Sequence, residues 1–189
     1  LDAIQVAAIE TTDLQVMEST QLNALSATQV AALGSSQVQA LTTDQYQDLS
    51  SNFIAGMGNG QLSAMESADI AVLSSDQLRA ISKVNLGQLS TGFVDKLSAT
   101  QLNSLTTIQA SGLTSSQLGV LSTGALNALQ TSLVTSLDAN AVRGLQTAQV
   151  RSLNTQQVSV LKDIQLQSFT TTQVQSLQSD QVKALSSTQ

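Results

Sequence analysis

Apolar residues recur at two places in every eight along this chain. Leu25, Leu33, Leu41, Leu97, Leu105, Leu113 and Leu121 open successive octads, and Val30, Val38, Leu102 and Leu118 stand at the sixth position of theirs. Stepping by eight from Leu1 to Leu185 meets no polar residue, and the sixth position runs from Val6 to Val182 with Ala110 as its one small exception. The segment LSATQVAALGSSQVQALTTDQYQDLS, residues 25–50, states the same phrase three times. The register never slips, so residues 1–189 read as one continuous array without a domain boundary or linker. Leu1 enters directly into the repeat and Gln189 falls partway through a unit, which leads us to expect an excerpt from a longer chain.

An eight-residue period excludes two simple structures. In one unbroken α-helix, eight residues advance about 800°, so the apolar pair drifts by roughly 80° per unit and never forms a stripe. In a continuous strand the first and sixth positions face opposite sides, and so do the sixth and ninth. In a short helix, by contrast, the sixth and ninth residues lie three apart and share a face. The reading is therefore all-α: a solenoid of very short capped helices, one per octad. The alternative is a β-solenoid, on the strength of the Val and Thr content. A helix of about six residues is far too short to survive alone in water, so stability must come from stacking on neighbours.

The polar residues explain where each helix starts. A Ser or Thr followed three residues later by Gln is a capping box, in which the hydroxyl accepts an early helical N–H and the Gln reaches back to the N–H of the cap. Ser26 with Gln29, Thr42 with Gln45, Ser74 with Gln77, Ser98 with Gln101, Thr106 with Gln109 and Thr114 with Gln117 have this spacing. In that register Leu25 with Val30, and Leu97 with Leu102, form hydrophobic staples. Where the second position is a poor cap, as at Glu10, Glu18, Gln130, Gln146 and Lys162, the third (Thr11, Ser19, Thr131, Thr147, Asp163) is expected to supply it.

Composition narrows the function. Aromatic residues make up 2% and charged residues 11% of the chain, and there is no Pro, Cys, His or Trp, so the core is aliphatic. Without His or Cys, the Ser-His-Asp triad, the Cys nucleophile and the commonest zinc ligands are ruled out. Asp44 with Asp48, and Asp69 with Asp76, do not recur in phase and are expected to be solvated surface; Gly56-Met57-Gly58-Asn59-Gly60 lacks the Lys of a phosphate-binding loop. We therefore expect no enzyme and no cofactor or metal. A net charge of −6 with so few aromatics also disfavours nucleic acid, and no apolar run approaches a membrane span. Residues 1–78 hold no Lys or Arg, whereas Arg79, Lys83, Lys96, Arg143, Arg151, Lys162 and Lys183 all follow. This division is expected either to be drift or to favour salt-sensitive attraction between chains. Phe53 and Phe93, at the usual Gln position, suggest local repacking or a sticky patch.

The phrases LTSSQLGVLST, LSATQLNSLTTIQ and LQTAQVRSLNTQQVSVL resemble the Leu-Thr-Thr-x-Gln-Val-x-Ala octapeptide tracts of very large bacterial secreted or cell-surface proteins. Those proteins look like adhesins, matrix components or filament formers, so the resemblance implies an extracellular structural role and carries over no functional residue. Two functions are expected in competition. One is a stalk or surface filament that associates with further copies or further repeats. The other is a surface-binding module that meets glycans or ice with its rows of Ser, Thr and Gln.

Overall fold

The computed structural model describes residues 1–189. It contains 23 α-helices of four to six residues and no strand, so the chain is an all-α solenoid and the β-solenoid alternative falls. The helices are numbered α1 to α23 in chain order, from α1 at Ala3–Ala7 to α23 at Ser179–Lys183.

Each octad is built the same way. The second residue is the extended N-cap, as Ser26 is (φ −68°, ψ 161°), and the helix begins at the third. Helices often end in a left-handed glycine. Here no residue has positive φ, glycine included. The first residue of the next octad instead takes an extended conformation while its N–H still bonds the sixth-position carbonyl: Leu33 (φ −62°, ψ 132°) donates to Val30 at 3.1 Å. Two extended residues thus turn the chain between helices, and a large aliphatic can sit at the corner because no left-handed residue is needed there.

The third position caps nothing. Glu10, Glu18, Gln130, Gln146 and Lys162 hold the N-cap themselves, and Thr11, Ser19, Thr131, Thr147 and Asp163 are the first helical residues. This corrects the expectation of two alternative cap positions. The two extended residues fix the corner, so the helix start cannot slide by one without breaking the octad.

The chain divides into two compact units, Leu1–Lys96 and Leu97–Gln189. Within each, a helix packs on the one three octads away, so 24 residues complete a turn. In the first unit α1, α4 (Ala27–Ala32), α7 (Ser51–Gly56) and α10 (Ser75–Ala80) stack along one edge. A second edge stacks α2 (Thr11–Val16), α5 (Ser35–Ala40) and α8 (Asn59–Ala64). The third stacks α6 (Thr43–Asp48), α9 (Ser67–Val72) and α12 (Thr91–Lys96). In the second unit α14 (Thr107–Ala110), α17 (Thr131–Ser136), α20 (Thr155–Ser159) and α23 form one edge. Its second edge is α15 (Ser115–Val120), α18 (Ala139–Val142) and α21 (Asp163–Gln167), and its third α13 (Ala99–Ser104), α16 (Thr123–Asn127), α19 (Thr147–Ser152) and α22 (Thr171–Ser176).

The first and sixth side chains of the octads fill the interior. Val30, Leu33, Val38, Leu41, Leu97, Leu102, Leu105, Leu113, Leu118 and Leu121 are buried, whereas Leu25 is half-buried. Leu1, Ile9 and Met17 also keep exposure; this position is buried from Leu33 to Phe169 and half-buried again at Leu177 and Leu185. Phe53 and Phe93 are buried, so neither forms a surface patch.

Candidate functional site

The most repeated chemical feature is the fifth residue of the octad, the third of the helix. Its side-chain oxygen accepts the N–H of its own N-cap residue: Ser26, Thr42, Ser74, Ser98, Thr106 and Thr114 donate to Gln29, Gln45, Gln77, Gln101, Gln109 and Gln117 at 2.7–2.9 Å. The cap hydroxyls accept the Gln N–H in return at 3.1 Å (Thr106) to 3.4 Å (Ser26). The half-box from Gln persists where the cap has no side chain, as from Gly34 to Gln37 and from Gly58 to Gln61, both at 2.8 Å.

The other half of the amide ties turns together. Gln37 Nε2 donates to the carbonyls of Val6 (3.2 Å) and Ile9 (2.8 Å), which lie 31 and 28 residues earlier. Gln45 does so to Leu14 and Met17, Gln61 to Val30 and Leu33, and Gln77 to Tyr46 and Leu49. In the second unit the same offsets join Gln149 to Leu118 and Leu121, Gln157 to Leu126 and Leu129, Gln165 to Val134 and Leu137, and Gln181 to Val150 and Leu153. Gln29, in the first unit's earliest clasp, reaches the Leu1 carbonyl alone at 2.6 Å. Residues such as Val30, Leu33, Leu118 and Leu121 therefore place their side chains in the core and their carbonyls in the clasp.

A buried Gln is tolerable because its one acceptor and two donor hydrogens are all used. Each bond contributes about 0.5–1.5 kcal/mol net, and a buried carbonyl left without its partner costs about 1–3 kcal/mol. The capping spacing alone does not reveal this clasp. The visible clue is that Gln persists after Gly34, Gly58 and Lys162, where a reciprocal side-chain box cannot form.

Octads without Gln show how the bonds are replaced. With Phe53 in α7, the Ser50 N–H goes to Asn23 Oδ1 at 2.6 Å, and Asn23 Nδ2 donates to the Asp48 carbonyl at 3.0 Å. With Leu133 in α17, the Gln130 N–H goes to Asn103 Oδ1 at 2.8 Å, and Asn103 Nδ2 donates to the Ala128 carbonyl at 2.7 Å. In both cases an Asn thirty residues before the apolar residue supplies the missing acceptor. Asn127 holds the corresponding position before Gln157 and donates to the Ser152 carbonyl, while the Asn154 N–H goes to Gln157 Oε1 at 3.0 Å.

Asp69 is a different substitution. It stands in α9 and is 4% exposed, which overturns the expectation of a solvated carboxylate; Asp44, Asp48 and Asp76 are exposed. A carboxylate cannot donate to the Val38 carbonyl, 31 residues earlier, as a Gln would. The Tyr46 hydroxyl does so instead at 2.9 Å, and Asp69 accepts the Thr43 hydroxyl at 2.8 Å. Burial, and next the Asp69 charge, push the Tyr46 phenol well above its ordinary range.

Asn85 is one methylene shorter than Gln and reaches only the nearer carbonyl, Met57, at 3.4 Å. Ala141 in α18 leaves no side chain to clasp with. There the backbones close up: a Cβ on Gly144 would lie 2.3 Å from the Ser115 carbonyl oxygen. No three His, Cys, Asp or Glu side chains come together as a metal site, and no helix is long and apolar enough to cross a membrane.

The repeat family described as the ALTTAQ repeat matches this chain over residues 6–43 and 15–51. That stretch contains LSATQV and LTTDQY, where cap, Gln and aliphatic positions are all present. No curated protein matches the chain.

Proposed function

We infer that the chain is an extracellular structural repeat, serving as a stalk or as a filament that assembles with further copies or further repeats, and not an enzyme. The observation that carries this reading is the clasp at constant offsets of 28 and 31 residues in both units. Turns held by the same bonds at the same spacing are interchangeable, so an array of them can be lengthened without redesigning any contact. The cell-surface setting rests on the resemblance to octapeptide tracts of secreted bacterial proteins. Negative-stain electron microscopy tests the assembly: ordered fibres at modest concentration, dispersing as salt rises, are expected.

A second reading has an observation of its own. Thr123, Thr147 and Thr171 open α16, α19 and α22, one above another on an edge of the second unit, and all three are exposed and outside the capping bonds. A surface-binding module for glycan or ice would use such a row. Ligand-dependent thermal stabilisation without fibres would favour it over the structural role.

A further inference from the structure

The clasp records no position along the chain. Gln45, Gln61 and Gln77 donate to Leu14 and Met17, to Val30 and Leu33, and to Tyr46 and Leu49, always 31 and 28 residues earlier. The acceptor is a main-chain carbonyl, the same group in every residue, and each octad offers one at its sixth and one at its first position. Adding or removing eight residues therefore moves every later Gln to the carbonyls of a neighbouring octad and leaves its bonds unchanged.

Three places do record position, because the partner there is a particular side chain or the lack of one. Asn23 accepts the Ser50 N–H and donates to the Asp48 carbonyl for the octad of Phe53. Thr43, 26 residues before Asp69, bonds its carboxylate, while Tyr46 gives the Val38 carbonyl the proton that Asp69 lacks. Gly144 lets the backbone close on Ser115 in the octad of Ala141. Each arrangement holds at one spacing only.

We propose that these octads are register marks, which select one pairing of turns in an array whose Gln runs accept several. A Gln run that is pulled open, or that loops out one octad, closes on the same bonds eight residues out of step. A turn carrying a mark closes fully in a single register. The device goes beyond the structural role proposed above and holds whether or not chains assemble.

Duplicating single octads in the full chain tests it, with urea unfolding followed by circular dichroism. A second copy of Leu161–Ser168, inserted after Ser168, separates no mark from its partner, and each later Gln again meets sixth- and first-position carbonyls. Its midpoint should match or exceed that of the parent. A second copy of Leu33–Ala40, inserted after Ala40, brings Ala31 to the place of Asn23 opposite Ser50 and Asp48, and leaves the spacing of Thr43, Tyr46 and Asp69 unchanged. Here the folded-to-unfolded ratio is expected to drop about fivefold, as the two bonds of Asn23 are lost. Phe53→Gln supplies a clasp that needs no mark: in the duplicated chain its amide meets the carbonyls of Val30 and Leu33, and its oxygen accepts the Ser50 N–H. That substitution should therefore be about fivefold more favourable in the duplicated chain than in the parent, and it should restore folding if the duplicated chain does not fold. A duplication of Leu33–Ala40 as stable as that of Leu161–Ser168, or one that Phe53→Gln helps no more than it helps the parent, overturns the marks. A duplication of Leu161–Ser168 that loses as much as that of Leu33–Ala40 overturns the position-blind clasp and the proposal with it.

Discussion

Residues 145–189 and residues 121–144 belong to the same unit and reach the same fold by different means. From Leu145 onward every octad has its Gln, and Gln149, Gln157, Gln165, Gln173 and Gln181 each donate to two carbonyls of the preceding turn. Between 121 and 144 the fifth positions are Ala125, Leu133 and Ala141, with no amide among them. There an Asn from the previous turn serves one octad, and close backbone approach at Gly144 serves another. The helix shortens as well, α18 having four residues where α19 has six. The comparison separates two requirements that the clasp meets together: filling the space between turns, and satisfying buried backbone groups. Leu133 fills space and leaves the bonding to Asn103, while Ala141 fills nothing and the backbone moves in.

The largest expected effect breaks the clasped region. Gln157 is fully buried and bonds the carbonyls of Leu126, Asn127 and Leu129 as well as the Asn154 N–H. Gln157→Ala should lower stability in urea unfolding by roughly 3 kcal/mol, because a cavity and several unpaired buried groups appear together. Ala141→Gln should give no matching gain, since the closed backbone at Gly144 leaves the amide no room. A gain of similar size would mean that the unclasped turns are simply defective.

Gly144→Ala breaks the other region. Its new methyl would sit 2.3 Å from a backbone oxygen of Ser115, which cannot swing aside, so a loss of about 2 kcal/mol is expected. Gly60 in α8 is the control: nothing lies within 4 Å of its added Cβ, and Gly60→Ala should stabilise by about 0.5–1 kcal/mol through helix propensity and unfolded-state entropy. Equal effects at the two glycines would remove the account of the unclasped turn.

Much of this architecture was legible in the sequence because its causes are local. The octad, the short helix, the apolar pair and the Ser/Thr–Gln boxes each depend on residues fewer than nine apart. The number of octads per turn was not legible, because it depends on the angle set by two extended residues that any L-residue can adopt. The clasp was hidden for a related reason: offsets of 28 and 31 acquire meaning only once three octads are known to close a turn. Asp69 reads as an ordinary surface acid until that turn places it beside Tyr46 and Thr43. The hydroxyls of Thr11 and Thr147 suggest caps by local chemistry alone, but the corner geometry fixes the N-cap one residue earlier, at Glu10 and Gln146.

Tyr46 and Asp69 sharpen the comparison from a third kind of octad. Tyr46→Phe removes the hydroxyl donor from the Val38 carbonyl, which keeps only the Leu41 N–H at 3.2 Å, and should cost about 1–2 kcal/mol. In an Asp69→Gln background the amide can take over, so the same change should cost markedly less; strict additivity in this double-mutant cycle would show that the hydroxyl is no replacement for the clasp. A pH dependence follows from the raised Tyr46 pKa. Below about pH 10 the phenol is protonated in both the folded and unfolded states. Above it the unfolded chain ionises while the buried phenol holds its proton, so stability falls with rising pH. Tyr46 is the sole tyrosine, so its ionisation can be followed by ultraviolet absorbance, and Tyr46→Phe should lose that part of the alkaline decline.

The smallest effect tests the Asn that stands in for an absent Gln. Asn23→Ala removes the acceptor for the Ser50 N–H and the donor to the Asp48 carbonyl, both near the surface, so a loss of about 1 kcal/mol is expected. Restoring the amide with Phe53→Gln returns an acceptor to the Ser50 N–H from within its own helix, which should make Asn23→Ala nearly neutral. Phe53→Gln by itself exchanges a buried ring for two new bonds to the carbonyls of Leu22 and Leu25, and its own cost cancels from the cycle. The diagnostic quantity is therefore the coupling between positions 23 and 53, read from chemical denaturation of the parent, both single variants and the double variant. A coupling near zero would mean that Asn23 holds the turn for reasons unrelated to the missing Gln. In that case the same thirty-residue spacing of Asn103 and Leu133 would carry no rule.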